Sequence, residues 1–369
     1  MPATLPRQRS IDLLRGIAVV LVMLLHYSLT YRLPDSVLGD LFTPKGVARL
    51  VMNGNYGVTM FFVISGYLIT TNSLRRWGSL DRIDRWAFYR RRARRILPPL
   101  LVAVAVILVL GAFGRPSFVN KQRGEVLDPG FWWLAIGSVL TFWHNVLMQV
   151  EGYFNYALNI YWSLSVEEVF YLAFPLAATL LPKRGFLIAC AALVVAGPVY
   201  RALHVERELD YLYGYPACFD AIAIGCLLAF VAPRMQGRGP WPVVMTVVAS
   251  GCLAAVHLNG IGGHEVLGFS GIALSTAVII LFNVRASGTE QMEARTLVSL
   301  PIRALRWMGR HSYELYLFHI IVLGVMRDLV GRDELPRGLK LPWMLLFFGL
   351  SAAVAFGVGR WSQRSMRTH

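Results

Sequence analysis

An aspartate, an arginine and a histidine interrupt the first apolar stretch of the chain, DLLRGIAVVLVMLLHY, at residues 12–27. On an α-helix Arg15 and His26 share one face, about 20° apart in projection and about 16 Å apart along the axis. Asp12, one turn before Arg15, can pair with it. Imidazole is a natural general base near neutral pH, so this face is a candidate for proton-transfer chemistry. The alternative is that Arg15 snorkels to the inner boundary and His26 hydrogen-bonds a neighbouring helix.

A pair of carboxylates interrupts a later apolar stretch, YWSLSVEEVFYLAFP, at residues 161–175. Glu167 is flanked by aromatic residues, with Trp162 before it and Tyr171 after it. Acidic residues inside membrane helices usually face a cavity or a partner. Glu167 is therefore predicted to orient a histidine or to bind a sugar hydroxyl, and its depth in the membrane would allow it to meet His26.

Nine arginines and no lysine lie between residues 75 and 95, just before Pro98 and Pro99. Setting the orientation of a membrane protein needs fewer charges and accepts lysine equally well. Arginine differs in binding phosphate through a planar, bidentate guanidinium. Three interpretations remain open: an orientation anchor, a dock for anionic lipid headgroups, and a site for a phosphate-rich cytosolic substrate.

The elements that carry these residues are predicted to be membrane helices. Of the 369 residues, 56% are hydrophobic and 15% are charged, whereas soluble proteins are usually about 25% charged. Backbone hydrogen bonding in lipid favours helices, and about 20 apolar residues span a bilayer. The predicted fold class is all-α, a polytopic integral membrane bundle with spans at 12–31, 56–73, 96–113, 162–181, 185–201, 216–232, 241–258, 266–283, 312–330 and 341–359.

Lys and Arg residues orient these spans, since cytoplasmic loops carry the basic excess. With both termini inside, the cytoplasmic segments hold 23 of the 36 Lys and Arg residues, five of them in 284–311. A crossing by the apolar run 131–147 would move that segment outside, so 131–147 is predicted to be re-entrant or interfacial within an outer segment, 113–161. We expect a single domain, 1–369, with an Arg-rich cytoplasmic loop at 74–95 and no appended soluble domain. The net charge of +15 then reflects topology and argues against a nucleic-acid partner.

An ordered set of motifs resembles the membrane acyltransferase-3 family. The motifs are Arg15 with His26 (R-x10-H), FFVISGYL (61–68), RRARRILP (91–98), WSLSVEEVFYL (162–172), FDAIAIGCLLA (219–229) and SYELYLFH (312–319). They extend over the chain from end to end. The resemblance implies about ten membrane helices and an O-acyltransferase of carbohydrates and related acceptors. It also implies that acyl groups come from cytosolic acyl-CoA and often reach acceptors on the outer side.

The resemblance implies roles for individual residues. His26 becomes the catalytic base with Glu167 beside it, and the donor-binding residues are Arg15, Arg91, Arg92 and Arg95, the last three on the CoA phosphates. Cys218 departs from the family pattern, which has an arginine there, so a contact to the acceptor or to a neighbouring helix is expected to differ. Further candidates for the cavity wall are Asp12, Ser65, Tyr67, Trp162, Asp220 and His319. For His319 a structural role in helix packing is favoured. The other histidines are expected at the surface or at interfaces, namely His144, His204, His257, His264 and His311.

No metal and no permanently bound cofactor is predicted; acyl-CoA, with acetyl-CoA favoured, is the donor substrate. The expected partners are a carbohydrate or glycosylated acceptor and membrane lipids, and the expected location is a bacterial-type cytoplasmic (inner) membrane. The acceptor, the acyl chain length and the choice between direct transfer and an acyl-enzyme on His26 or Ser65 stay open. The competing function is a proton-coupled transporter or flippase, since intramembrane Arg, His and Glu suit it as well. The lack of an internal repeat argues against that alternative.

Overall fold

The computed structural model describes residues 8–235, 240–284 and 300–365, and this part of the chain is almost entirely helical. Its helices are α1 Arg9–Tyr31, α2 Val37–Phe42, α3 Pro44–Val51, α4 Asn55–Trp77, α5 Arg85–Ala112, α6 Phe131–Leu140, α7 His144–Glu151, α8 Trp162–Leu180, α9 Lys183–Leu203, α10 Glu208–Tyr213, α11 Tyr215–Val231, α12 Trp241–Asn259, α13 Leu267–Asn283, α14 Leu300–Arg310, α15 Ser312–Leu329 and α16 Lys340–Ser365. A small antiparallel ribbon pairs β1 Lys121–Gln122 with β2 Glu125–Val126.

Each of the ten predicted spans coincides with one helix: α1, α4, α5, α8, α9, α11, α12, α13, α15 or α16. Within the described residues, eight helical segments are long and apolar enough to cross a membrane. The helices α13 and α15 complete the ten at 17 and 18 residues. The prediction of an all-α polytopic membrane protein is confirmed.

The apolar run 131–147 is broken into two short helices. α6 has ten residues and ends before Phe142, whose φ is 63°, and α7 has eight residues. Ten residues rise about 15 Å, half of the roughly 30 Å hydrocarbon core. The run is therefore too short to cross as a straight helix, and its placement as re-entrant or interfacial stays a prediction.

The direction of α15 agrees with this count of crossings. Arg15, near the start of α1, contacts Ser312 at the start of α15. Tyr31, at the end of α1, donates to the carbonyl of Val330, just past the end of α15. The two helices therefore run parallel. Two membrane helices run parallel when an odd number of crossings lies between them. The seven predicted spans between α1 and α15 meet this requirement, and an eighth crossing at 131–147 would reverse α15.

The Arg-rich segment 74–95, predicted as a loop, is mostly helical. α4 continues to Trp77 and α5 begins at Arg85, which leaves only 78–84 as a connection. The side chain of Asp84 caps α5 by accepting a hydrogen bond from the backbone N–H of Ala87, 2.9 Å away, and arginine itself favours helix. As a result the last arginines of the segment are carried on a rigid element that continues into the membrane.

The segment 284–311, predicted to be a cytoplasmic loop, ends in the helix α14; residues 285–299 lie outside the described part of the chain. α14 packs against the inner half of α1. The approach is close at Gly309, where any Cβ would overlap the backbone oxygen of Asp12. A second close approach joins α4 to α11, because a Cβ on Gly66 would overlap the carbonyl oxygen of Ile222. Such small-residue contacts are typical of helices packed in membranes.

Candidate functional site

A cavity of about 140 Å³ lies inside the bundle, bounded by α1, α4, α5, α8 and α15. Its wall combines apolar side chains of α4 with an unusual number of polar groups for a membrane interior. The polar residues of the wall are Arg15, Ser65, Asn72, Arg92, Arg95, Ser163, Glu167, Glu168, Tyr171, Ser312, Tyr313 and Tyr316. Helix packing therefore brings together five residues that the sequence had singled out on four separate helices: Arg15, Ser65, Arg92, Arg95 and Glu167.

Arg92 sits between the two carboxylates of α8. Its Nη2 lies 3.3 Å from Oε1 of Glu167 and 3.1 Å from Oε1 of Glu168. The guanidinium also stacks on the ring of Tyr171, with its carbon 3.1 Å from the ring centroid. Since the side chains of Arg92 and Glu168 are only 20% and 7% exposed, the pairing neutralises charges that would be costly to bury alone.

Glu167 is the hub of the polar wall. Its Oε1 accepts hydrogen bonds from the hydroxyl of Ser65 on α4 and from the hydroxyl of Tyr171, 2.5 Å away, in addition to the contact with Arg92. These donors fix the carboxylate with respect to three helices, α4, α5 and α8. His26 is not among the hydrogen-bond partners that the structure gives Glu167. The predicted contact between these two residues is therefore not observed, and His26 has a different partner, described below.

The other arginines differ in their engagement. Arg15 donates from Nε to the hydroxyl of Ser312, 3.0 Å away, which ties the inner end of α1 to α15. Arg95 lines the same cavity and is exposed. Arg91 lies outside the cavity wall, exposed, where its Nε donates to the carbonyl of Ala87 and its guanidinium packs 5.7 Å from the ring of Trp77. Arg91 and Arg95 are one helical turn apart and therefore present two accessible cations on the same side of α5.

His26 pairs with His319. Nδ1 of His26 and Nε2 of His319 are 3.0 Å apart, and the ring centroids are 5.0 Å apart. His319 is fully buried, whereas His26 retains partial accessibility. Neither imidazole is in the wall of the cavity, but Tyr316, which is, lies 6.0 Å from the ring of His319 by centroids. The histidine pair thus lies one residue layer from the cavity.

Asp220 and Trp162 belong to a different place in the bundle, a cavity of about 10 Å³ on the other side of Phe62. Asp220 pairs with Arg201 of α9 at 2.7 Å, with the two side chains 3% and 0% exposed. The cation beside Asp220 thus comes from Arg201 of α9. Cys218, which stands where the family pattern has an arginine, donates a weak hydrogen bond to the carbonyl of Leu212. Asp220 was predicted as a candidate for the cavity wall, but it pairs with a neighbouring helix and does not line the central cavity.

Asp12 and Tyr67 also lie outside both cavity walls. Asp12 is in the first turn of α1, where its backbone meets α14. Tyr67 is 2% exposed and packs in the core between α4 and its neighbours. Neither contributes to the polar wall in the described residues.

Comparison with known proteins now decides the family. The acyltransferase-3 family, described as an acyltransferase domain, matches residues 8–359. The chain belongs to this family. It is 26% identical over 317 residues to the O-acetyltransferase OatA of Staphylococcus aureus, covering 78% of the chain and 49% of that protein.

A second relative agrees with the first. The peptidoglycan O-acetyltransferase OatA of Listeria monocytogenes is 25% identical over 333 residues, covering 85% of the chain and 49% of that protein. The chain spans about half the length of these curated relatives. No solved structure gives a significant match. The prediction of an integral membrane acyltransferase is confirmed at the level of the family.

The cavity wall contains residues that the sequence analysis does not single out. Glu168 adjoins the predicted Glu167, and Ser312, Tyr313 and Tyr316 lie in the SYELYLFH motif, in which His319 is the only predicted site residue. The sequence could have identified them, since hydroxyl and acidic side chains recur in these motifs at helical spacing.

His144, expected at the surface or an interface, is fully buried and bonds the hydroxyl of Ser138. Burial lowers the pKa of His144 to about 3, so it stays neutral.

Proposed function

We propose that this acyltransferase moves an acetyl group from cytosolic acetyl-CoA to a hydroxyl of a cell-wall carbohydrate at the outer side of the cytoplasmic membrane. The observation that carries the proposal is the polar cavity inside the bundle. Arginines of α5 and Arg15 line it, and a histidine pair lies directly behind it. The names of the two OatA relatives support acetyl as the group and peptidoglycan as the class of acceptor.

The donor phosphates are assigned to the accessible arginines. Arg92 already faces two carboxylates, and an added phosphate would meet their negative charge at close range. Arg91 and Arg95 are exposed, and neither forms an ion pair with a carboxylate among the described residues. We therefore place the CoA phosphates on Arg91 and Arg95, and we give Arg92 the task of holding Glu167 and Glu168 in the wall.

The uncharged arm of the donor suits the rest of the cavity. The pantetheine arm carries amides and one hydroxyl, and the hydroxyls of Ser65, Ser163 and Ser312 line the wall together with the amide of Asn72. Arg15 and His26 are separated by eleven residues of the uninterrupted helix α1, about 16 Å along its axis. That rise is comparable to the length of an extended pantetheine arm. A donor whose phosphates are bound at the cytoplasmic side would therefore have its thioester at the level of the imidazole.

The chemistry is a general-base acyl transfer. The imidazole of His26 takes the proton of the acceptor hydroxyl while its oxygen attacks the thioester carbonyl. A C–O bond forms, the C–S bond breaks, and the proton passes to the sulfur of the departing CoA thiolate. Glu167 acts through the wall that it organises with Ser65 and Tyr171 rather than through contact with His26.

The test uses the purified chain in nanodiscs with acetyl-CoA and soluble peptidoglycan fragments, following free CoA with a thiol reagent and acetylated product by mass spectrometry. His26→Ala is expected to abolish transfer with the protein still folded. Arg91→Gln/Arg95→Gln is expected to raise the KM for acetyl-CoA by about tenfold or more, since two charge-assisted contacts are lost.

The matched control is Arg303→Gln/Arg310→Gln, which removes the same charge from exposed positions of α14 on the same side of the membrane. An equal rise of KM in both double variants would reduce Arg91 and Arg95 to orientation anchors. Retained turnover in His26→Ala would remove the histidine from the mechanism. Movement of a solute across the membrane without CoA release would favour a transporter instead.

A further inference from the structure

The two imidazoles of the His26–His319 pair have a hydrogen-bond pattern that fixes where their protons lie. Nδ1 of His319 is 2.9 Å from the carbonyl oxygen of Leu315 and 2.9 Å from that of Tyr316. A carbonyl oxygen only accepts hydrogen bonds, so Nδ1 of His319 must carry a proton. An unprotonated nitrogen there would direct its lone pair at two oxygens.

The other nitrogen of His319 must then be an acceptor. The residue is 0% exposed, and within the described residues no carboxylate hydrogen-bonds either imidazole. A doubly protonated, cationic His319 would be a buried charge without a counterion, which is strongly unfavourable. A neutral His319 with a proton on Nδ1 has a bare Nε2.

The state of His26 follows from that of its partner. Its Nδ1 lies 3.0 Å from Nε2 of His319, and a hydrogen bond between the two needs a donor. His26 must supply it, so its Nδ1 is protonated and its Nε2 holds the free lone pair. His26 is also the more accessible member of the pair.

We infer that His319 is a positioning residue, which holds His26 in the Nδ1–H tautomer so that Nε2 of His26 is the atom that takes the acceptor proton. Two successive contacts support the assignment: the backbone of α15 orients His319, and His319 in turn orients His26. The sequence favoured a packing role for His319, whereas we infer that it acts on catalysis indirectly, through His26. This inference deepens the proposed function and depends on it for its kinetic consequences.

The order of proton transfers follows from this arrangement. Nε2 of His26 removes the proton from the acceptor hydroxyl, and the imidazolium that forms keeps its Nδ1–H donated to His319. The same Nε2–H then protonates the CoA thiolate as the C–S bond breaks. His319 stays neutral throughout, because its own proton remains on Nδ1, which donates it to the carbonyls of Leu315 and Tyr316.

The kinetic test replaces His319 with Phe, which keeps an aromatic ring and removes the acceptor nitrogen. His26 can then adopt either tautomer, so kcat is expected to fall about 100-fold, within the usual contribution of a positioned general base, with the KM for acetyl-CoA within twofold of the parent value. His319→Gln places an amide oxygen near the position of Nε2 and is expected to recover part of kcat. The control is His257→Phe, which removes a 5% exposed imidazole that bonds the carbonyl of Leu50 and has no hydrogen bond or ring contact with either member of the pair; its kcat is expected to stay unchanged.

The spectroscopic test does not need turnover. The side-chain nitrogens of His26, identified by their loss in His26→Ala, are observed by ¹⁵N solid-state NMR in lipid. Nδ1 is expected to be protonated and Nε2 bare in the parent protein, with both tautomers populated in His319→Phe. A protonated Nε2 of His26 in the parent protein, or a kcat in folded His319→Phe within twofold of the parent, would overturn the inference. Absence of CoA release by the parent protein would refute the proposed function and leave the NMR result to decide the tautomer.

Discussion

Two ion pairs with the same separation should differ sharply in their value to the fold. Arg201 and Asp220 are 2.7 Å apart with side chains 0% and 3% exposed. Arg337 and Asp40 are also 2.7 Å apart, with side chains 62% and 61% exposed. Breaking a buried pair costs about 3–5 kcal/mol, because the remaining charge stays buried. An exposed pair contributes about 0–1 kcal/mol.

Asp220→Asn is the informative change, because it nearly preserves shape. Oδ1 of Asp220 accepts from the backbone N–H of Ala221 and Oδ2 accepts from Arg201. An amide group at this position would have to direct its N–H₂ at one of these donors. Arg201 would keep only neutral acceptors, the hydroxyl of Ser270 and the carbonyls of Val266 and Ala217. We therefore expect a loss near 3 kcal/mol or more.

The assay is unfolding by SDS titration in mixed micelles, which gives the apparent free energy of unfolding for each variant. Asp40→Asn is the control and is expected to lose less than about 1 kcal/mol. The double variant Arg201→Met/Asp220→Asn should lose less than the sum of its single variants, since neither leaves the other's charge unpaired. Equal losses for Asp220→Asn and Asp40→Asn, or strict additivity in the double variant, would refute the reasoning.

Three further changes probe the bundle and its cavity. Gly66→Ala should lower the apparent melting temperature in detergent by several degrees, because the methyl group would separate α4 from α11; unaltered melting would show that the helices can move apart at no cost. Tyr171→Phe should lose about 1.5–3 kcal/mol in the SDS titration, since its hydroxyl donates to a carboxylate, whereas Tyr89→Phe, which frees only a carbonyl at the protein surface, should lose less. Ser312→Ala should raise the KM for acetyl-CoA about tenfold by releasing Arg15, measured by CoA release; a change confined to kcat would contradict this role.

The membrane helices were within reach of sequence reasoning because hydropathy and basic residues act locally. Each predicted span required only a run of apolar residues and the sign of its flanking charge. The same reasoning excluded a crossing at 131–147, and the parallel contacts of α1 with α15 agree with it. The segments 85–95 and 300–310 were predicted as loops because their charge was attributed to topology, although arginine favours helix and Asp84 provides a cap.

The site was only partly within reach, because partners from distant helices cannot be assigned from one sequence. Glu167 and Arg92 were both selected, yet nothing in the spacing of α5 and α8 shows that they pair. His26 was expected near Glu167 from depth alone. Depth fixes the level of a residue in the membrane but leaves open which helices are neighbours, and α15 rather than α8 supplies the partner of His26.

The charges of the cavity wall suggest why so many ionisable groups are kept at one place in a membrane protein. In the described part of the wall, three arginines, Arg15, Arg92 and Arg95, face two glutamates, Glu167 and Glu168. The two carboxylates offset most of the cost of burying the guanidinium groups, and the wall keeps an excess of one positive charge. This small excess attracts an anionic donor, whereas a wall of arginines alone would hold the phosphates, which donor and product share, much more firmly. On the proposed function, Glu167 and Glu168 thus allow CoA to leave, and their replacement by glutamine should tighten the binding of CoA as it slows turnover.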